Sequence, residues 1–201
     1  ANVAHKFQFY GQFLLDEFLL NEITKNNGYW ANKYGYQLGA KYVDAFNVKN
    51  LDLQIESNRV RPFTYSHYDS IANYTHYNQM LADPLGANFQ EFIGIVKYQP
   101  APKWYINARA IYYYQGLDSA GINFGSNPFE LYTTRTSNYG YYVGSGRKVK
   151  CLNASLTLSY ELKENLFLYG NVLFRKYTGL DNSNSINIGI RWNAARRDYN
   201  Y

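Results

Sequence analysis

Residues 184–192 alternate between apolar and polar side chains. One set is Ile186, Ile188, Ile190 and Trp192, and the opposing set contains Asn187, Gly189 and Arg191. Because successive side chains of a strand point to opposite faces, this pattern predicts a strand with one apolar and one polar face. About 9–11 residues of this kind also suffice to cross a bilayer as a tilted strand. The segment is therefore typical of a transmembrane β-strand.

The same alternation recurs along the chain and predicts eight strands. They lie at 7–16, 36–42, 51–56, 89–98, 104–110, 152–160, 166–177 and 184–192. The set predicts an all-β fold, an antiparallel transmembrane β-barrel with about eight strands in this chain. The alternative is a soluble β-sandwich, whose exposed face is normally rich in Lys and Glu rather than Asn, Gln, Ser, Tyr and Gly. The orientation of 89–98 stays open, since Ile93 and Ile95 oppose Phe92 and Val96.

The connections between these strands alternate between short and long. Short turns are expected at 44–49, 99–103 and 161–165, and long loops at 17–31, 61–87 and 116–147. Outer-membrane barrels have short periplasmic turns and longer extracellular loops, so the long loops are expected outside the cell. Tyr42, Tyr98, Trp104 and Tyr160 flank the short turns, where aromatic rings favour the membrane interface.

Composition agrees with a membrane protein that has no membrane-spanning helix. Mean hydropathy is −0.47, although aromatic residues make up 19% of the chain. No run approaches the roughly 18 apolar residues of a transmembrane helix. The net charge of +5 comes from scattered Lys and Arg, which argues against nucleic acid. It fits either a solvated surface or attraction to anionic lipid head groups or acidic polysaccharide.

Five charged side chains are expected on the inner wall of the barrel. They are Asp16, Lys41, Glu56, Arg109 and Arg191. In an eight-stranded barrel they would pair inside a filled interior, and in a wider barrel they would line a lumen. The chain is expected to form a single domain over 1–201, either a complete small barrel or the C-terminal portion of a larger one.

The loop at 61–87 is the expected functional surface, because its aromatic rings and polar groups suit sugar rings and hydroxyls. The candidate glycan-binding residues are Tyr65, His67, Tyr68, Asp69, Tyr74, His76, Tyr77 and Asn78. The alternative is that these residues fold the loop onto itself over the barrel mouth, with Pro62 and Pro84 fixing its ends.

Two further interpretations use the same loop. His67, Asp69 and His76 are suitable metal ligands but lack a recognised ligand spacing. Ser66, His67 and Asp69 supply the residue types of a lipid or glycan hydrolase, but no Gly-x-Ser-x-Gly element is present. We therefore expect no metal, no cofactor and no catalytic residues.

Parts of the sequence resemble a known family. The relevant segments are Trp30-Ala31-Asn32-Lys33-Tyr34-Gly35, Arg61-Pro62-Phe63-Thr64-Tyr65-Ser66-His67, His76-Tyr77-Asn78-Gln79 and Pro84-Leu85-Gly86-Ala87-Asn88-Phe89. They resemble the Wzi-like capsule-assembly outer-membrane proteins, a group that includes the gliding-motility RemB-type proteins. The resemblance implies a barrel of many strands in the outer membrane of a Gram-negative-type bacterium. It also implies a part in surface-polysaccharide attachment or assembly, or in a multi-protein envelope complex for secretion, protein insertion or gliding.

Overall fold

The computed structural model describes residues 2–193, and within them the fold is almost entirely β. The strands are β1 (Asn2–Ala4), β2 (Phe7–Glu17), β3 (Lys33–Tyr42), β4 (Leu51–Val60), β5 (Thr75–His76), β6 (Gln79–Met80), β7 (Phe89–Tyr98), β8 (Trp104–Leu117), β9 (Arg147–Lys163), β10 (Leu166–Tyr177) and β11 (Ser183–Trp192). One short helix, α1 (Leu20–Thr24), and 3-10 turns at Ala45–Asn47, Ser70–Ala72 and Tyr132–Thr134 complete the described elements. None of the described helices is both long and apolar enough to span a membrane.

Nine of these strands form one antiparallel sheet in the order β1-β2-β3-β4-β7-β8-β9-β10-β11. The eight predicted strands are all present, and each pairs with the next along the chain. Six extend beyond the predicted bounds, and the largest extensions are in β8, which reaches Leu117, and β9, which begins at Arg147. In the described residues the sheet is open, with β1 and β2 at one edge and β11 at the other.

The strand register assigns every position of the sheet to one of two faces. One row of paired residues is Phe9, Ala40, Ile55, Gly94, Ala110 and Ala154. The adjacent row on the other side is Tyr10, Gly39, Glu56, Ile93, Ile111 and Asn153. We call these sides the apolar face and the polar face. The register places Ile93 and Ile95 on the polar face. This settles the orientation of strand 89–98, which the sequence left open.

The apolar face is bare. Leu38 is 60% exposed, Ile55 67% and Ile188 80%, and all three lie in the middle of long strands. Contiguous exposed apolar surface of this extent marks a face that contacts a protein or a membrane.

The long connections pack together at one end of the sheet. We call residues 18–32, 61–88 and 118–146 the loop cap. Backbone hydrogen bonds join its parts, for example from the Trp30 N–H to the Asn138 carbonyl and from the Phe63 N–H to the Gly125 carbonyl. One buried cluster of the cap contains Trp30, Ala31, Phe63 and Tyr141. The short turns lie at the opposite end, so the two ends of the sheet differ as the sequence predicted.

The cap packs mainly on the polar face, and on the apolar face it reaches only the strand ends near Gly116. Val60 and Phe89 are polar-face positions, and their side chains form a buried cluster with Tyr65 and Ala87 of the cap. On the same face, the Gln115 side chain donates hydrogen bonds to the carbonyls of Leu85 and Ala87. The sheet is therefore closed over at one end on its polar side.

Two polar side chains hold the separate loops of the cap together. Asn88 is fully buried; its Nδ2 donates to the carbonyls of Gly116, Phe124 and Ser145, and its Oδ1 accepts the Gly144 N–H. The Arg61 guanidinium donates to the carbonyls of Tyr29, Asn32 and Tyr141. Burial lowers the pKa of Arg61, but these carbonyls still bind its positive charge.

Candidate functional site

A strongly exposed part of the cap is a small hairpin formed by β5 and β6. Tyr77 and Asn78 make its two-residue turn, with φ of 45° and 60° respectively. Positive φ at both turn positions is the geometry of a type I′ hairpin, which Asn tolerates well. Tyr77 is 89% exposed, and its ring contacts that of His76 edge-on at 4.3 Å between centroids. The turn therefore presents two rings to solvent.

Other predicted glycan-binding residues divide into an exposed group and a buried group. Tyr68 is 69% exposed and Tyr74 is half exposed. Tyr65 is buried and stacks on Tyr74 at 5.7 Å between ring centroids. Burial, with the nearby Asp83 and Tyr74, raises the pKa of Tyr65 to about 12. Tyr65 is thus part of the support for Tyr74 rather than an exposed surface.

The remaining residues of the predicted set take part in local structure. The Asp69 carboxylate accepts the N–H of Ile71 at 3.0 Å and so caps the 3-10 turn Ser70–Ala72. Asn78 occupies the hairpin turn. The aromatic side chains of the predicted set that are exposed to a ligand are Tyr68, Tyr74, His76 and Tyr77, and His67 is partly buried.

His67 belongs to a cluster of charged residues that the sequence did not predict. Lys33 is fully buried, and its Nζ lies 3.0 Å from Glu17 Oε1, 3.5 Å from Asp16 Oδ2 and 3.0 Å from the Ser66 carbonyl oxygen. His67 Nε2 lies 3.8 Å from Asp16 Oδ2. The Tyr132 ring lies 4.4 Å from the ammonium on another side. Lys33 thereby joins the end of β2, the start of β3 and two loops of the cap.

This arrangement is neither the metal site nor the hydrolase triad that the residue types of the 61–87 loop allow. Potential metal-ligand atoms of Asp16, Glu17 and His67 lie within 4.8 Å of one another, whereas Asp69 and His76 belong to other contacts. The Lys33 ammonium already supplies a positive charge to the two carboxylates. Ser66 is buried, and its Oγ donates to the Asn127 carbonyl while Asp69 accepts from Ile71. Ser66, His67 and Asp69 therefore do not form a hydrogen-bonded triad.

The residues expected on an inner wall share the polar face. Register places Lys41, Glu56, Arg109 and Arg191 there, while Asp16 lies at the bulge that ends β2. Glu56 accepts hydrogen bonds from Tyr10, Gln37 and Asn58. Among the ion pairs of residues 2–193, none includes Lys41, Arg109 or Arg191. Neutral donors thus make the direct contacts to Glu56, while the Lys41 ammonium lies 5.7 Å from the centre of the Tyr10 ring.

A small cavity of about 90 Å³ separates the 61–88 loop from the polar face. Its lining includes Gln12, Gln37, Tyr65 and Asp83. Burial raises the pKa of Asp83, and the negative charge of Glu56 adds to this effect; the hydrogen bond from the Leu85 N–H acts in the opposite direction. The loop thus carries a carboxyl group that burial disfavours in its ionised form.

We expect D83N to stabilise the 61–88 loop at neutral pH. A raised pKa means that the folded loop binds a proton more tightly than the unfolded loop. The stabilising contribution of the protonated group is therefore lost as pH rises from the ordinary value of 3.8 through the folded-state pKa. Hydrogen exchange of the Leu85 and Ala87 amides should be slower in D83N at pH 7, with less dependence on pH.

D118N is the matched control for this prediction, because Asp118 also accepts a backbone N–H, from Phe124, but lies in the 118–146 loop. It should leave exchange in 61–88 unchanged. Faster exchange of Leu85 in D83N would contradict the prediction, because it would mean that the ionised carboxylate stabilises the loop.

No family model, curated protein or solved structure matches this chain.

Proposed function

We propose that this chain forms the wall of a transmembrane β-barrel in a bacterial outer membrane and that its loop cap binds surface polysaccharide. One observation carries the proposal: the long strands expose large apolar side chains on one face from β2 to β11, while the cap packs mainly on the polar face at one end. A sandwich would bury its apolar face against a second sheet. A barrel wall in lipid leaves that face uncovered by protein.

Strand length and topology agree with this proposal. The eight long strands contain 10 to 17 residues, which meets the length needed for a tilted crossing. Unpaired strand edges are too costly in hydrocarbon, so the edges at β2 and β11 must be paired in the membrane. They pair either with each other or with further strands of a wider barrel.

The exposed rings of the cap support a glycan as the ligand. Tyr68, Tyr74 and Tyr77 present aromatic faces for sugar rings, and His76 adds polar nitrogens beside Tyr77. Capsule attachment or assembly, the activity implied by the Wzi-like resemblance, is a process that uses such a surface on the extracellular side.

Alanine at both Tyr68 and Tyr77 should reduce polysaccharide retention on the cell surface by about tenfold or more, because two stacking rings are lost. Retention is measured by quantifying surface glycan on intact cells of the bacterium that carries this chain. Y139A removes another half-exposed ring from a different part of the cap and should retain glycan normally. Equal retention by the double variant and Y139A would refute glycan binding at the hairpin.

The membrane part of the proposal has its own test. The intact protein should stay with membranes after alkaline extraction and show heat-modifiable migration in gels. Release into the soluble fraction would refute the barrel, whatever the outcome of the glycan experiment.

A second candidate function is that of a structural subunit in a multi-protein outer-membrane complex. Ile71 is 91% exposed close to Tyr68, and an aliphatic side chain suits a protein partner better than a sugar. I71D should then abolish stoichiometric co-purification of partners after mild detergent extraction, while leaving glycan retention intact.

A further inference from the structure

The apolar face carries charge at one end only. Across the eight long strands, in the part that the structure describes, its charged side chains are Arg59, Lys148, Lys150 and Lys176. All four are cations, and all lie at the end where the loop cap begins. The polar face, by contrast, mixes acidic and basic residues such as Glu56, Glu91 and Arg109.

Three of these cations form a compact group at β9 and β10. Lys148 and Lys150 are two residues apart on the same face of β9, a separation of about 7 Å. Lys176 pairs with Leu152, which places it diagonally across from Lys150 at a similar distance of about 7 Å. All three are exposed. Like charges at this spacing repel one another unless an anion lies between them.

The surroundings favour an external anion as the partner of these cations, rather than an acidic side chain of the described residues. Lys148 Nζ lies 4.4 Å from the centre of the Tyr114 ring, and no ion pair within residues 2–193 includes any of the four cations. One row of directly paired residues runs from Arg59 through Gln90 and Tyr114 to Lys150. Arg59 is therefore three strand spacings, about 14 Å, from the lysine group.

The other end of the apolar face has a different chemistry. There the rings of Phe7 and Tyr42 stack at 4.2 Å, and those of Trp104 and Tyr160 lie 4.9 Å apart. No charged side chain occurs on that end of the face in the described strands. The apolar face thus carries cations at the end next to the loop cap and aromatic rings without charge at the short-turn end.

We propose that Lys148, Lys150, Lys176 and Arg59 bind the head group of a lipid that carries two phosphates, on the leaflet next to the loop cap. The inference rests on the proposed membrane-spanning barrel and adds a specific ligand to its outer wall. The lipid chains lie along the apolar face below the cations. One phosphate lies among the three lysines, and the second contacts Arg59 across the Gln90–Tyr114 row.

The test uses the intact protein reconstituted in phosphatidylcholine vesicles, with diphosphoryl lipid A as the probe. Binding should be about a hundredfold weaker for the triple variant K148Q/K150Q/K176Q, since each lysine near an anionic lipid contributes close to one order of magnitude or somewhat less. R59Q should reduce the preference for diphosphoryl over monophosphoryl lipid A while leaving monophosphoryl binding unchanged.

Two control variants separate lipid recognition from general charge. K49Q/K103Q/K163Q removes three exposed lysines at the short-turn end and should bind like the parent protein. K148R/K150R/K176R keeps the charges and should also bind normally. Free pyrophosphate should not compete at equal concentration, because it lacks acyl chains for the apolar face.

The outcomes distinguish this inference from the proposed function. Equal weakening by both triple Gln variants, or equal affinity of the parent for phosphatidylcholine and diphosphoryl lipid A, would refute the lipid site while leaving the barrel intact. Failure of the parent protein to insert into the vesicles would refute the barrel itself.

Discussion

N88A is expected to unfold the loop cap while the sheet stays paired. The substitution removes the side-chain contacts to three carbonyls, which share the two amide hydrogens of Asn88, and to one N–H; these contacts are buried or partly buried. Two amide hydrogens and one amide oxygen supply three bonds, so at about 1 kcal/mol for each the free energy of cap opening should fall by about 3 kcal/mol. Asn88 also has a φ of 60°, which costs alanine about 1 kcal/mol more. Limited proteolysis should then cleave within 118–146 much faster than in the parent.

Two comparison variants separate the hydrogen bonds from the backbone conformation. N88G keeps the favourable left-handed conformation but loses the same side-chain contacts, so it should be nearly as protease-sensitive as N88A. Asn165 has a φ of 61° at the short-turn end, and its side chain makes no hydrogen bond among the described residues. N165A should therefore leave the cap intact. Cap stability in N88G equal to that of the parent would show that the bonds contribute little.

The strands of this fold could be predicted from the sequence because alternation is a local signal. Residues 89–98 and 166–177 form strands with the predicted bounds. The strand predicted at 104–110 stops short of the end of β8 at Leu117, and Tyr112, Tyr113 and Tyr114 in the missing part show no alternation of polarity. Their faces are set by pairing with Leu152, Cys151 and Lys150 across β9, which the local sequence of β8 does not reveal.

The candidate site was less predictable because its geometry depends on contacts between distant residues. Tyr65 and Tyr77 have the same side chain, yet one is buried under Tyr74 and the other lies at a hairpin tip. The resemblance included Lys33, but only the fold places it beside Asp16, Glu17 and the Ser66 carbonyl. The capping of a turn by an Asp side chain is a local sequence signal. It could have identified Asp69 as a structural residue rather than a candidate glycan-binding residue.

K33M is expected to loosen the junction between the sheet and the cap. The variant keeps an unbranched side chain of similar length but removes the ammonium that Asp16, Glu17 and the Ser66 carbonyl share. The two carboxylate side chains are 30% and 42% exposed, so water stabilises them in part after the loss. The cost should therefore lie at the lower end of the range for a broken buried ion pair, about 3 kcal/mol. Hydrogen exchange at the Lys33–Tyr34 end of β3 and in residues 61–67 measures this free-energy cost.

K25M is the matched control, because Lys25 and Glu22 form an exposed ion pair at 2.7 Å within the same cap. Its loss should leave the stability of the cap almost unchanged, as for other surface pairs. K33M should also expose a ligand set in Asp16, Glu17 and His67 that the ammonium otherwise neutralises. Added Zn²⁺ should then slow exchange at the junction in K33M and have no effect on the parent or on K33M/H67A. Parent-like exchange in K33M would mean that the ammonium adds little to cap attachment.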